Sequence, residues 1–158
     1  MKRGYWGIGI QGSKFESNLG TLWRHAYIYN ADFIFTIGKR YTHDPTDTTK
    51  AQKNIPMFHF ANWLDFEQHM PRQCEIVFVE QELGLTQPLT SFEHPERAVY
   101  VLGAEDKGID TAWMVDYSSR YPNGETKIIE VPTPNKISMN VATTGTMIMH
   151  DRYLKGLK

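Results

Sequence analysis

Three short segments hold the residues whose types and spacing could do chemistry. The first, SNLGTLWRHA over residues 17–26, places Asn18 six positions before Arg24. If Asn18 opens a helix, Arg24 lies nearly two turns in, and its guanidinium could grip a phosphate through paired N–H donors. Taken alone, the segment reads more simply as a capped helix with a surface arginine. The second, VLGAEDKGI over 101–109, runs an apolar strand into Gly103 and Gly108 around Glu105. Glycines there suit a turn needing close backbone approach or positive φ. It lacks the phosphate-loop order of Gly, Lys and Ser/Thr and the dinucleotide fingerprint. The third, IEVPTPNKISMNVA over 129–142, stiffens a strand exit with Pro132 and Pro134. Ser138 and Asn140 follow at a helix start. Ser138 suits an N-cap, and the same point could hold a ligand or a reacting hydroxyl.

The elements that must position these segments alternate. Apolar or β-branched runs at 5–10, 33–37, 57–60, 76–79, 99–102 and 127–131 predict strands. Helical patterns fall at 18–29, with Asn18 as N-cap, at 63–70, briefly at 112–115, and at 139–154, where Ala142 and Gly145 permit close packing. The polar stretch 38–55 reads as an exposed loop. This alternation predicts an α/β domain with a mainly parallel sheet and helices on both faces. Ligands gather where loops leave the carboxyl ends of such strands, which selects the loops after residues 10, 102 and 131.

Composition bounds the rest. The 158 residues are 41% hydrophobic and 22% charged, an ordinary balance for one folded domain with a core. No apolar run approaches a membrane span, and the Gly-broken start does not resemble a secretory signal. The lone Cys74 cannot form an intrachain disulfide, which favours a cytoplasmic location. It reads as a small packed side chain, and the six His show no metal-ligand spacing, so no metal is expected. Net charge is −1, but residues 1–53 carry eight Lys/Arg against four Asp/Glu, and 54–158 carry nine against fourteen. That asymmetry favours a basic face near the N-terminus about as well as an ordinary solvated surface. The four Trp read as core or interface residues.

Together the three segments resemble the SpoU (TrmH-type) branch of the SPOUT RNA methyltransferases. Its N-x-G-x-x-x-R-x-A pattern matches Asn18, Gly20, Arg24 and Ala26; its G-x-E-x-x-G pattern matches Gly103, Glu105 and Gly108. Its proline and S-x-N pattern matches Pro132, Ser138 and Asn140. The stretch 131–138 is about a residue shorter than in many members. The resemblance spans nearly the whole chain and implies a single domain over 1–158, in minimal form, with a deep C-terminal trefoil knot over about 76–158.

It further implies a homodimer with shared sites that uses S-adenosylmethionine, releases S-adenosylhomocysteine, and methylates the ribose 2′-OH of RNA, tRNA rather than rRNA. Arg24, Asn18, Ser138, Asn140 and Glu105 would then be catalytic. Leu102, Gly103, Glu105, Gly108, Ile129, Val131, Pro132, Ile137 and Met139, with Val79 and Glu80, would surround the cofactor. Lys14, Arg24, Lys39, Arg40, Lys50 and Lys53 would face RNA, with Tyr41 or His43 available to stack on a base. The competing readings are an rRNA substrate, a base rather than a ribose target, and a non-catalytic RNA-binding dimer.

Overall fold

The computed structural model describes residues 4–42, 51–81, 86–121 and 126–156. Along the chain run β1 (Tyr5–Gln11), α1 (Glu16–Ile28), β2 (Phe33–Ile37), α2 (Ala51–Asn54), β3 (Met57–Phe60), α3 (Trp63–His69), β4 (Glu75–Val79) and β5 (Gln87–Pro88). A 3-10 turn (Leu89–Ser91), β6 (Arg97–Leu102), α4 (Thr111–Arg120), β7 (Thr126–Glu130) and α5 (Val141–Gly156) complete it. The strands form one sheet in the order β3-β2-β1-β6-β4-β7-β5. Every pairing is parallel. No helix among the described residues is long and apolar enough to cross a membrane.

Strand alternation sends side chains into two cores. Ile8 and Ile10 of β1, Val77 and Val79 of β4, and Tyr100 and Leu102 of β6 pack with α1 and α5. Phe33, Phe35, Phe78, Val99 and Val101 pack on the other face with Trp63 and Phe66 of α3 and Met114 and Tyr117 of α4. The alternating glycines of β1 serve this second face. A Cβ on Gly7 would lie 2.3 Å from the Phe33 ring, and one on Gly9 would lie 2.3 Å from the Phe35 carbonyl oxygen. Glycine leaves the room that the aromatic rings of β2 fill.

The register fixes where the loops emerge. Ile10 pairs with Leu102, Leu102 with Val79, and Val79 with Ile129. Four strands therefore end abreast, and the loops following residues 10, 79, 102 and 130 share one rim. Helix α5 lies across α1 and β6 at close range: a Cβ on Gly145 would lie 2.5 Å from Leu22 Cδ1. Its far end is held by a partly buried polar cluster. The His94 ring lies 2.8 Å from Asp151 and 2.7 Å from the Tyr100 hydroxyl, to which Arg152 also donates at 3.0 Å. Burial is the main cause that pulls the His94 pKa down to about 4, against the pull of Asp151, and that pushes Tyr100 up to about 12. His94 is thus neutral at pH 7. Its Nε2–H donates to the carboxylate, and its Nδ1 accepts the Tyr100 proton.

Several elements differ from expectation. The stretch 38–55 contains α2, whose Ala51 and the following Ile55 are buried. The Trp23 indole N–H donates to the Ile55 carbonyl at 3.0 Å, so a tertiary contact holds a helix too short for a periodic signal. Helix α4 is longer than one or two turns because Asp110 caps it, accepting from Trp113 N–H. Strand β5, two residues long, gave no pattern to read. Trp6, Trp23 and Trp63 are buried, and Trp113 stacks on Trp63 at 4.0 Å.

A methyl group at Gly9 must displace backbone as well as a ring. Gly9→Ala is expected to cost about 2–3 kcal/mol. The melting temperature should fall by about 5–10 °C in a thermal scan, and an unchanged value would contradict the packing described.

Candidate active site

Residue Asn18 lies inside the first turn of α1 rather than at its cap, which is Phe15 without a side-chain cap. The Asn18 amide is committed elsewhere. Its Nδ2 donates to Glu105 Oε1 at 2.5 Å, and its Oδ1 accepts from Asn140 Nδ2 at 2.8 Å. Asn140 Oδ1 in turn accepts the N–H groups of Ala142 and Thr143 at 2.9 and 3.1 Å. Asn140, not Ser138, therefore caps α5. Each amide orientation is forced: a carboxylate only accepts and helix N–H groups only donate. The chain of donors runs one way, from the α5 N-terminus through Asn140 and Asn18 to Glu105.

The carboxylate at the end of this chain also accepts the Lys14 N–H at 3.0 Å. Burial works against ionising Glu105, but the donors from Lys14 and Asn18 outweigh it and hold the pKa below the ordinary carboxylate value. One ionised group thus ties together the loop after β1, the loop after β6 and the start of α5.

The loop after β6 closes on itself, with Gly108 N–H donating to the Ala104 carbonyl at 2.9 Å. Gly108 has φ +65°, and a Cβ there would lie 2.6 Å from Glu80 Oε2; one on Gly103 would lie 2.4 Å from the Gly108 carbonyl carbon. Both positions need glycine for close approach, and Gly108 also for its dihedral. Glu80 staples this turn to β4, accepting Ile109 N–H at 2.8 Å and Gln81 N–H at 3.1 Å. Its own N–H donates to the Ile129 carbonyl at 3.0 Å.

Between these loops lies a cavity of about 370 Å3. That is within the range of small-molecule sites, roughly 300–1,000 Å3. Val79, Leu102, Ile109, Val131, Met139 and Val141 form apolar wall. Glu80, Gln81, Gly103, Glu105, Asp106, Lys107, Gly108, Thr111, Glu130, Ser138 and Thr144 also line it. Of the residues expected around a cofactor, Ile129, Pro132 and Ile137 are outside this lining. Ile129 is wholly buried, Pro132 is exposed, and Ile137 is 70% exposed. Lys107, Thr111, Glu130 and Thr144 were not singled out from sequence; they are polar residues of ordinary appearance whose place depends on how the loops fold.

The remaining candidates are spread along the rim and α1. Arg24 is exposed and, among the described residues, its side chain makes no hydrogen bond or ion pair; one chain does not bring it into the cavity lining. Lys14 Nζ lies 3.6 Å from Asp106, and Lys39 Nζ donates to the Lys14 carbonyl at 3.0 Å. Arg40 is exposed, and so is Lys53, which sits on α2 rather than in a loop. Tyr41 is half-buried edge-on to Trp23, with ring centres 6.0 Å apart. His43 and Lys50 lie outside the described residues.

A family model described as the SpoU rRNA Methylase family matches residues 8–150, and the chain belongs to that family of RNA methyltransferases. Among solved structures, one described by the 2-OH methylation of C/U34 on tRNA matches with TM-score 0.78 at 13% identity. That match covers 98% of both chains. An AdoMet-bound rRNA methyltransferase from Sinorhizobium meliloti matches with TM-score 0.72 at 19% identity, over 96% of this chain and 57% of that one. The TrmH/SpoU tRNA modifying enzyme of A. aeolicus matches with TM-score 0.72 at 17% identity, over 98% and 76%. At such identities the likeness is one of fold. No curated protein sequence matches the chain.

The donors around Glu105 favour its charged form in the folded state. Their stabilisation is complete above the unfolded-state pKa, roughly 4.3, and disappears as pH falls through the lower folded-state value. Glu105→Gln is expected to lower stability by about 1–2 kcal/mol at pH 7. In urea titrations the gap to wild type should narrow as the pH is lowered through 4; a gap that widens there would contradict the assignment.

Proposed function

We propose that this chain is an RNA 2′-O-ribose methyltransferase that uses S-adenosylmethionine, acting on tRNA in preference to rRNA, in the cytoplasm. The observation that carries the reading is the interlock of three distant motifs, through Glu105, Asn18 and Asn140, beside a cavity lined by residues of the second and third of them, in a chain of the SpoU family. The tRNA preference is supported by the neighbour described by C/U34 methylation, whose chain is matched over nearly its full length.

The cavity suits the donor by its shape and lining. Gly103 and Gly108 let the turn that bounds it close tightly on itself and on Glu80, and apolar walls alternate with carboxylates. Val79, Glu80, Leu102, Gly103, Gly108, Val131 and Met139 would hold it, with Ile129, Pro132 and Ile137 behind and beside them. When bound, S-adenosylmethionine supplies an electrophilic methyl group on a sulfonium.

The residues of the chain then bind and orient the ribose. The Ser138 hydroxyl, which lines the cavity, holds the substrate. Arg24 acts as a fork of hydrogen-bond donors, not as a base. It positions an RNA phosphate and stabilises charge growing on the 2′ oxygen. Asn18, Asn140 and Glu105 position the loops.

We take the working unit to be a homodimer in which Arg24 of one subunit reaches the cavity of the other. Arg24 shares the surface of α1 with Tyr27 and Ile28, 39% and 58% exposed, and α5 exposes Tyr153 and Leu154 at 46% and 48%. Exposed apolar side chains on two packed helices suit a second copy. The reading also includes a single domain whose carboxyl-terminal part, about 76–158, is threaded as a trefoil knot. Lys14, Lys39, Arg40, Lys50 and Lys53 would line the approach of the RNA backbone.

Incubating the protein with labelled S-adenosylmethionine and RNA, followed by nucleoside analysis, should give 2′-O-methylated nucleosides; a base-methylated product alone would reject the ribose assignment. Arg24→Lys is expected to lower turnover by about 100-fold or more while cofactor affinity is unchanged, and near-normal turnover would remove any role for the forked guanidinium. RNA affinity should fall steeply with added salt. Lys39→Ala and Arg40→Ala should each weaken it about 3–10-fold and flatten the salt slope by about 1, whereas salt-independent binding would contradict the basic approach.

A further inference from the structure

Most ionisable groups that line the cavity are already committed within the chain. Glu80 accepts from the N–H groups of Ile109 and Gln81. Glu105 accepts from Lys14 and Asn18. Asp106 faces the Lys14 ammonium at 3.6 Å. Two others remain, of opposite sign: Lys107, in the turn after β6, and Glu130, the last residue of β7. Neither side chain makes a hydrogen bond or an ion pair among the described residues.

A charge that lines a cavity without a protein partner gives up part of its hydration once a ligand enters, so the ligand must compensate it. A ligand that answers both Lys107 and Glu130 carries an anionic and a cationic group. An α-amino acid end is such a zwitterion. We propose that Lys107 and Glu130 read the amino-acid end of the methyl donor: the Lys107 ammonium meets its carboxylate, and the Glu130 carboxylate meets its ammonium. This rests on the reading of the cavity as the S-adenosylmethionine site. It assigns specificity to positions that the three motif patterns leave open: Lys107 falls between Glu105 and Gly108, and Glu130 precedes the strand exit at Val131.

The test uses two ligands that share the thioether and nucleoside and differ in the amino-acid end. S-adenosylhomocysteine has it; 5′-methylthioadenosine does not. Titration calorimetry on the intact protein should show the first binding more tightly than the second. Lys107→Gln and Glu130→Gln should each weaken S-adenosylhomocysteine about 5–10-fold and leave 5′-methylthioadenosine unchanged, which also reports an intact fold. Equal affinities of variant and wild type for S-adenosylhomocysteine, or equal losses for both ligands, would overturn the assignment. Wild type that binds neither ligand would overturn the cofactor reading itself, and this assignment with it.

Discussion

The site depends on a run of hydrogen bonds that can point in one direction only. Helix α5 begins with N–H groups that have no acceptor inside the helix, and Asn140 supplies it. That fixes the Asn140 amide, which donates to Asn18, and so fixes Asn18, which donates to Glu105. The carboxylate terminates the run, and its bonds are the charge-assisted ones. The positive end of α5 and the negative charge of Glu105 lie at its two ends, so the helix dipole favours the same orientation. Residues 87 and 122 positions apart are joined this way. Removing any member leaves a partly buried donor or acceptor unpaired, which costs more than the bond itself contributes.

This run acts on a frame set by strand register and burial. Parallel strands buried on both faces end abreast, so a shift of one strand by a residue would turn its buried side chains to the wrong core. Helix α5 is held at both ends: by Asn140 at the cavity, and by the cluster of His94, Tyr100, Asp151 and Arg152 at the far end of β6. Its close crossing over α1 and Leu102, possible because residue 145 is glycine, keeps the start of α5 beside the loop that carries Glu105.

The parts legible in the sequence are those set by local pattern. Continuous apolar runs such as IVFV and VYVL mark strands covered on both faces, and the glycines at 103 and 108 mark a turn of close approach. The parts that local pattern does not reveal are those where a tertiary partner outcompetes a local one. Asn18 and Ser138 have the right chemistry for N-caps, yet Asn18 is taken by Glu105 and Asn140, and Asn140 takes the cap that Ser138 could have made. Helix α2 exists because Trp23 holds the Ile55 carbonyl, a contact 32 residues away that no window of sequence contains. Lys107 and Glu130 stand apart because every neighbour of their kind in the cavity has a partner, and that is known only once the partners are placed.

The same commitments bear on how the motif residues divide their work. Asn18, Asn140 and Glu105 have their hydrogen-bonding capacity largely spent on one another, so a direct part in moving a proton would require breaking the bonds that shape the cavity. Ser138 and Arg24 carry no such debt to the fold. Leu19, Leu22, Trp23 and Ala26 face the core, which turns Arg24 outward on a helix whose other face is fully occupied. Within its own chain that guanidinium is not part of the cavity lining. On the proposed reading, the separation of cofactor cavity and arginine within one chain is therefore what makes pairing of two chains a condition of catalysis.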